Sequence, residues 1–259
     1  MTSILSAALE ASWQQLAEGP LAPVDVAVLD SGIDQTHPAL SGRIADAWSV
    51  EASSGPATVT PLPTANNDLF GHGTAVASII AGIAPNARLH DVRVLGRSNT
   101  GAEEQLIAGL EYAVSQGWTV LNLSLAARDT LRERLSRLCE RAYYRGQIII
   151  AARRNLPIGG DGLPAELSAC IGVDLGEFEE LHLFGFRMGF PIELIAPGRG
   201  VSAAAAGGGW TTVTGTSFAT PAISGLGALL LGAHPGLQPY EIKSVLRAKA
   251  AAPIERPQS

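Results

Sequence analysis

The sequence predicts an alternating α/β protein on a doubly wound, mostly parallel sheet with helices on both faces. Two observations carry this. Several short β-rich runs are apolar on both sides, as strands covered on both faces must be. Helical patterns fall between them, and the order βαβαβ implies right-handed crossovers. The chain has 259 residues, 46% apolar and 16% charged, against about 25% charged in an ordinary soluble domain. That composition can bury a large core and is not that of a disordered chain. With no internal repeat and no dividing linker, residues 1–259 are expected to form a single domain.

Taken in order, residues 1–20 lack the basic start and apolar core of a leader peptide and read as the domain's own opening helix. The first strand is 24–29 (VDVAVL), and residues 50–66 follow as a loop rich in Pro, Ser and Thr. A small-residue helix spans 72–83, a strand 88–95, a helix 102–116 and a strand 119–125. Leu131, Leu135, Leu138 and Ala142 recur at spacings of four and three, so they share one face of a helix. Its other face carries Arg132, Glu133, Arg134, Arg137 and Arg141 and is expected to be solvated. A strand at 147–152, a loop at 155–164 and helices at 216–231 and 239–249 complete the pattern. Residues 178–191 (FEELHLFGFRMGFP) are aromatic-rich in an aromatic-poor chain and are expected in the core rather than on an interaction surface.

The net charge of −6 gives no support for a nucleic-acid or anionic-membrane partner. The longest apolar stretches fall short of the ~20 residues of a membrane span. Cys139 and Cys170 form neither a disulfide framework nor a zinc pattern. No cofactor and no metal is expected, and a monomer is the default.

Three segments carry chemistry. Asp30, in VAVLDSGIDQTHP, ends the opening strand, and open α/β sheets bind ligands beyond such ends. Alone it reads as a turn aspartate. His72, in FGHGTAVAS, alone reads as a cap or a satisfied core residue. Ser217, in TGTSFATPAISG, alone reads as a helix N-cap, with Pro221 in the first turn where its missing N–H matters little.

Together, in the order Asp, His, Ser and each inside a longer matching stretch, they resemble the subtilisin-like serine peptidases (subtilases) from about residue 24 to about residue 247. The order does not fit α/β-hydrolases or chymotrypsin-like enzymes. The resemblance implies Ser217 as nucleophile, His72 as its base and Asp30 as the group orienting the imidazole. It also implies Asn155, in IIIAARRNLP, as the side-chain donor to an oxyanion, where the family reads Ala-Ala-Gly-Asn. A His base implies activity that falls as pH drops through about 6–7.

Recognition departs from the family. Ser124, Leu125 and Ala126 match a substrate-pairing Ser-Leu-Gly with a methyl group added, and Arg153 and Arg154 replace small residues before the Asn. The two arginines could narrow the pocket, place a cation beside it that favours an acidic residue, or point outward. An intact catalytic set with unusual walls suggests a narrow-specificity enzyme that processes a precursor or leader peptide. A catalytically silent peptide-binding module is the alternative. The partner expected in either case is a peptide or protein. The helix after His72 runs on without the calcium-binding insertion common in the family, so no tight calcium site of that kind is expected. Without a leader peptide, a cytoplasmic location is expected.

Overall fold

The computed structural model describes residues 4–52, 56–155 and 162–251. The opening segment is two helices rather than one, α1 (Ile4–Glu10) and α2 (Trp13–Glu18). Ser12 makes the break: its hydroxyl accepts the Gln15 N–H at 3.2 Å while the Gln15 side chain accepts the Ser12 N–H at 2.8 Å, a reciprocal cap. There follow β1 (Val24–Asp30), β2 (Ile44–Glu51), β3 (Thr58–Pro61), α3 (His72–Ile83), β4 (Ala87–Arg93), α4 (Glu103–Gln116) and β5 (Val120–Leu123). Next come α5 (Arg132–Tyr144), β6 (Ile148–Ala152), β7 (Cys170–Gly176), β8 (Gly185–Phe186) and β9 (Leu194–Pro197). A small hairpin of β10 (Val201–Ala204) and β11 (Trp210–Val213) leads into α6 (Thr216–Ala233) and then α7 (Pro239–Lys249).

The main sheet has the order β3-β2-β4-β1-β5-β6-β7-β9-β8, parallel except for β3 and β8 at its two edges. β1 lies between β4 and β5, so the chain winds outward to one side of β1 and then returns to build the other. The carboxyl ends of β1 and β5 therefore flank the point where winding reverses, the usual ligand crevice of open α/β sheets.

The two-sided apolar character of β1 has a direct consequence. Val24, Val26 and Val28 pack into the core with α3 and α6, while Ala27 and Leu29 pack into the core with α4 and α5. Alternate side chains of one strand thus glue the sheet to both helical layers. α6 is long and apolar enough to cross a membrane by composition, yet 83% of it is buried inside the molecule, so it is a core helix. On α5 the Leu face is buried as expected, and its charged face pairs outward, Arg134 with Glu104 at 2.6 Å and Arg137 with Glu133 at 2.8 Å.

Several expectations need correction. The stretch 50–66 is not all loop: it holds the end of β2 and all of β3, an exposed edge strand whose polar Thr positions gave no apolar signal. β7 and β9 escaped prediction: β7 is interrupted by Gly172 and Asp174, and β9 is only four residues ending in Pro197. Of the loop expected at 155–164, residues 156–161 lie outside the described residues, and Leu163 bridges to Ala127. The aromatic segment divides: Phe184 and Phe186 are buried, whereas Leu183 and Met188 are exposed.

Candidate active site

Two glycines bring the first two motifs together. Gly32, just beyond β1, and Gly73, in the first turn of α3, touch backbone to backbone. A Cβ on Gly73 would stand 2.1 Å from the Gly32 carbonyl oxygen, so only glycine allows the approach. That contact sets His72 over the end of β1. His72 Nδ1 lies 2.7 Å from Asp30 Oδ1. A carboxylate only accepts, so Nδ1 carries the hydrogen and Nε2 is left as the basic nitrogen. Asp30 is fully buried and also accepts the Ser31 N–H at 2.7 Å.

His72 is 8% exposed, with the Phe218 ring 4.9 Å from its own, centroid to centroid. Burial lowers the pKa of the imidazole, but the Asp30 charge and hydrogen bond and the more distant Asp68 charge raise it, and the net shift is upward.

Asp68 was not singled out by sequence reasoning. Its Oδ1 accepts the Ser31 hydroxyl at 2.7 Å and the N–H groups of Phe70 and Gly71 at 3.0 and 2.7 Å. Its Oδ2 accepts the N–H and hydroxyl of Thr74 at 2.8 and 2.5 Å. One carboxylate thus organises the whole turn leading into α3. Nothing in the local sequence separates it from an ordinary loop aspartate.

Ser217 is the second residue of α6, half-buried, and lines the same cleft as His72. No hydrogen bond joins Ser217 to His72 among the described residues; such contacts often close only when substrate fills a cleft. Asn155 lies opposite: its Oδ1 accepts the Thr216 N–H at 3.5 Å and stands 3.1 Å from the Thr216 hydroxyl, whose single hydrogen is shared with the nearer Arg153 carbonyl at 2.7 Å. With its oxygen engaged, the Asn155 amide has its NH₂ left to donate, and Asn155 lines the cleft. Thr216 is therefore a second positioning group that the sequence did not disclose.

The cleft encloses about 720 Å³ and includes every residue singled out for recognition. Ser124, Leu125 and Ala126 form one wall, with the Ser124 hydroxyl turned away to accept the Asn122 side-chain N–H at 3.0 Å. Ala152 to Asn155 form the other. The three possibilities for the arginines resolve differently at each position. Arg153 turns its guanidinium to Asp174 at 2.7 Å. Arg154 reaches across to donate to the Ala127 carbonyl, tying one wall to the other.

The sequence matches the Subtilase family over residues 23–173 and 184–258. It is 32% identical over 238 residues to Subtilisin Savinase of Lederbergia lenta, covering 88% of this chain and 84% of that protein. It is also 32% identical over 238 residues to an alkaline protease of Alkalihalobacillus alcalophilus, but spans only 59% of that longer protein. The fold is similar to that of Sphericase, with a TM-score of 0.71 at 26% identity over 89% of this chain and 84% of the other. A cold-adapted subtilisin-like serine proteinase gives a TM-score of 0.72 at 25% identity, over 90% and 84%. With the family match running along most of its length and both flanks of the cleft inside it, the chain belongs to the subtilase family.

Proposed function

We propose that this chain is a serine endopeptidase that hydrolyses peptide bonds through an acyl-enzyme and acts with narrow specificity on a precursor or leader peptide. The observation that carries the chemistry is the 2.7 Å contact of buried Asp30 with His72, which lines the cleft together with Ser217 and Asn155. Ser217 Oγ attacks the scissile carbonyl carbon while its proton passes to His72 Nε2. The carbonyl oxygen becomes an oxyanion, which the Asn155 NH₂ and the Ser217 N–H at the N-terminus of α6 stabilise. Collapse of the tetrahedral intermediate breaks the C–N bond, and His72 returns the proton to the departing amine. Water then attacks the ester by the same route, releasing the acid and restoring Ser217. Asp30 holds the imidazole in the tautomer that this requires.

Narrow specificity draws support from the Arg154 contact across the cleft, which puts a bulky charged side chain on a wall of the cleft. The same contact, with Ser217 not bonded to His72, favours the second reading, a silent peptide-binding module. Intact mass after a fluorophosphonate probe decides between them. One adduct on the wild type, absent from Ser217→Ala and much slower in His72→Ala, is expected. A folded wild type that takes no adduct would overturn the peptidase reading.

A further inference from the structure

Arg153 stands where small residues are usual in the family, and its partner Asp174 lies in the stretch 174–183 that the family match omits. The two departures meet in one structure. Asp174, on β7, is nearly buried, and its Oδ2 accepts from Arg153 Nη1 at 2.7 Å and from Arg187 Nη2 at 2.9 Å. Its Oδ1 accepts the Leu175 N–H at 2.8 Å, so the carboxylate is itself fixed to the strand. Arg187 lies over the Phe190 ring, its carbon Cζ 5.2 Å from the centroid. Two guanidinium groups held beside one mostly buried carboxylate are not a cheap source of stability, because desolvation offsets much of the attraction. Removing the carboxylate would leave two like charges facing each other.

The arrangement leads into the cleft. The Arg153 backbone continues the sheet, its N–H donating to Val173 O at 2.8 Å. Its carbonyl sits 2.7 Å from the Thr216 hydroxyl. That hydroxyl shares its one hydrogen between the Arg153 carbonyl and, at the longer 3.1 Å, Asn155 Oδ1, which also accepts the Thr216 N–H at 3.5 Å, and Thr216 immediately precedes Ser217. The side chain of Arg153 is thus drawn back over β7 while its main chain fixes the residue that holds Asn155.

We propose that Asp174 is a positioning residue for the Asn155 amide, acting through the Arg153 clamp and the Thr216 hydroxyl. The proposal rests on the peptidase reading above. It assigns this chain a support for its oxyanion donor built on a carboxylate in the stretch that the family match omits.

The test is a double-mutant cycle on the full chain, run after adduct formation on the wild type has established a working nucleophile. Turnover of a peptide substrate is measured for wild type, Asp174→Asn, Asn155→Ala and the double variant. Asp174→Asn is expected to lower kcat about ten-fold with KM nearly unchanged, short of the ~10²–10³ that follows loss of an oxyanion donor from a subtilisin. The double variant is expected to be no slower than Asn155→Ala alone, because the clamp acts only through that amide. Asp174→Glu, which keeps the charge, is expected to recover part of the loss. An unchanged kcat in Asp174→Asn, or losses that multiply in the double variant, would overturn the proposal. If Asp174→Asn does not fold, Arg153→Gln breaks the same clamp from the other side and takes its place in the cycle. A wild type without adduct or turnover would instead sink the peptidase reading, a result distinct from either.

Discussion

The Ser31 hydroxyl donates to Asp68 Oδ1 at 2.7 Å, and the same oxygen of Ser31 accepts the Gly73 N–H at 3.0 Å. Ser31 follows Asp30 and Gly73 follows His72, so this one contact joins the two segments whose side chains must meet. Asp68→Asn replaces an acceptor oxygen with an NH₂ that faces donors. A loss of about 1–3 kcal/mol in stability is expected, the range for a buried donor left unsatisfied. The Asp68 charge also raises the His72 pKa, so the acid limb of the pH–rate profile should move to lower pH. A profile superimposable on that of the wild type would remove Asp68 from this role.

The pH dependence of the wild type follows from His72 itself. The base must be neutral to take a proton from Ser217. Burial opposes its charged form, but Asp30 and Asp68 outweigh burial, and the pKa lies above the ordinary 6.5. Activity should therefore fall on acidification through a value above 6.5. Stability runs the other way: the contribution of the charged ring is full below 6.5 and is lost as pH rises through the folded value. Kinetics and melting measured across pH 5–9 on one preparation check both signs.

Asp91 is a buried carboxyl with no role in the proposed chemistry. Burial and the charges of Asp68 and Asp30 raise its pKa well above 3.8, against the Ile33 N–H and Arg93, which lower it. Its Oδ2 accepts the Ile33 N–H at 3.0 Å and its Oδ1 has no partner among the described residues. Any stability drawn from the neutral form is complete below pH 3.8 and is lost as pH rises through the raised folded value. Asp91→Asn, which resembles that neutral form, should melt no lower than wild type at pH 8 and show a flatter dependence of stability on pH. A variant clearly less stable at pH 8 with an unchanged slope would contradict this.

Arg154 ties the cleft walls together through the Ala127 carbonyl, and Gly162 closes in beside it, so near that a Cβ there would stand 2.9 Å from the Arg154 Cβ. Arg154→Ala opens the space that the guanidinium occupies. Preference for a large apolar side chain before the scissile bond should rise by about ten-fold or more, as a filled pocket contact of 1–3 kcal/mol implies. Cleavage of a peptide library by both proteins measures it, and an identical preference would place the guanidinium outside the recognition path.

α3 runs unbroken from His72 to Ile83, and the chain turns at once into β4. A hard cation needs six to eight oxygen ligands that this connection does not offer. Melting temperature should be the same with and without a calcium chelator. A large drop would contradict this.

Much of the fold was legible because its signals are local. The strands at the middle of the sheet are apolar on both faces, and His72–Ile83 and Pro239–Lys249 begin and end where their patterns do. Edge strands such as Thr58–Pro61 were not legible, since an exposed strand shows no apolar run. Asp30, His72, Ser217 and Asn155 were legible only through the joint resemblance of their segments to the subtilases, since alone each reads as a turn, cap or core residue. Asp68, Thr216 and Asp174 were not, because an acidic or hydroxyl side chain acquires its role only from donors and acceptors far along the chain.

The sequence by itself determined the α/β class and the family, and through that resemblance nominated the four residues on which the proposed chemistry turns. Only the tertiary structure decided that Arg153 faces Asp174 while Arg154 crosses to Ala127. Adjacent residues leaving a strand point to opposite sides, and which side holds a carboxylate or a carbonyl depends on strands brought alongside by folding.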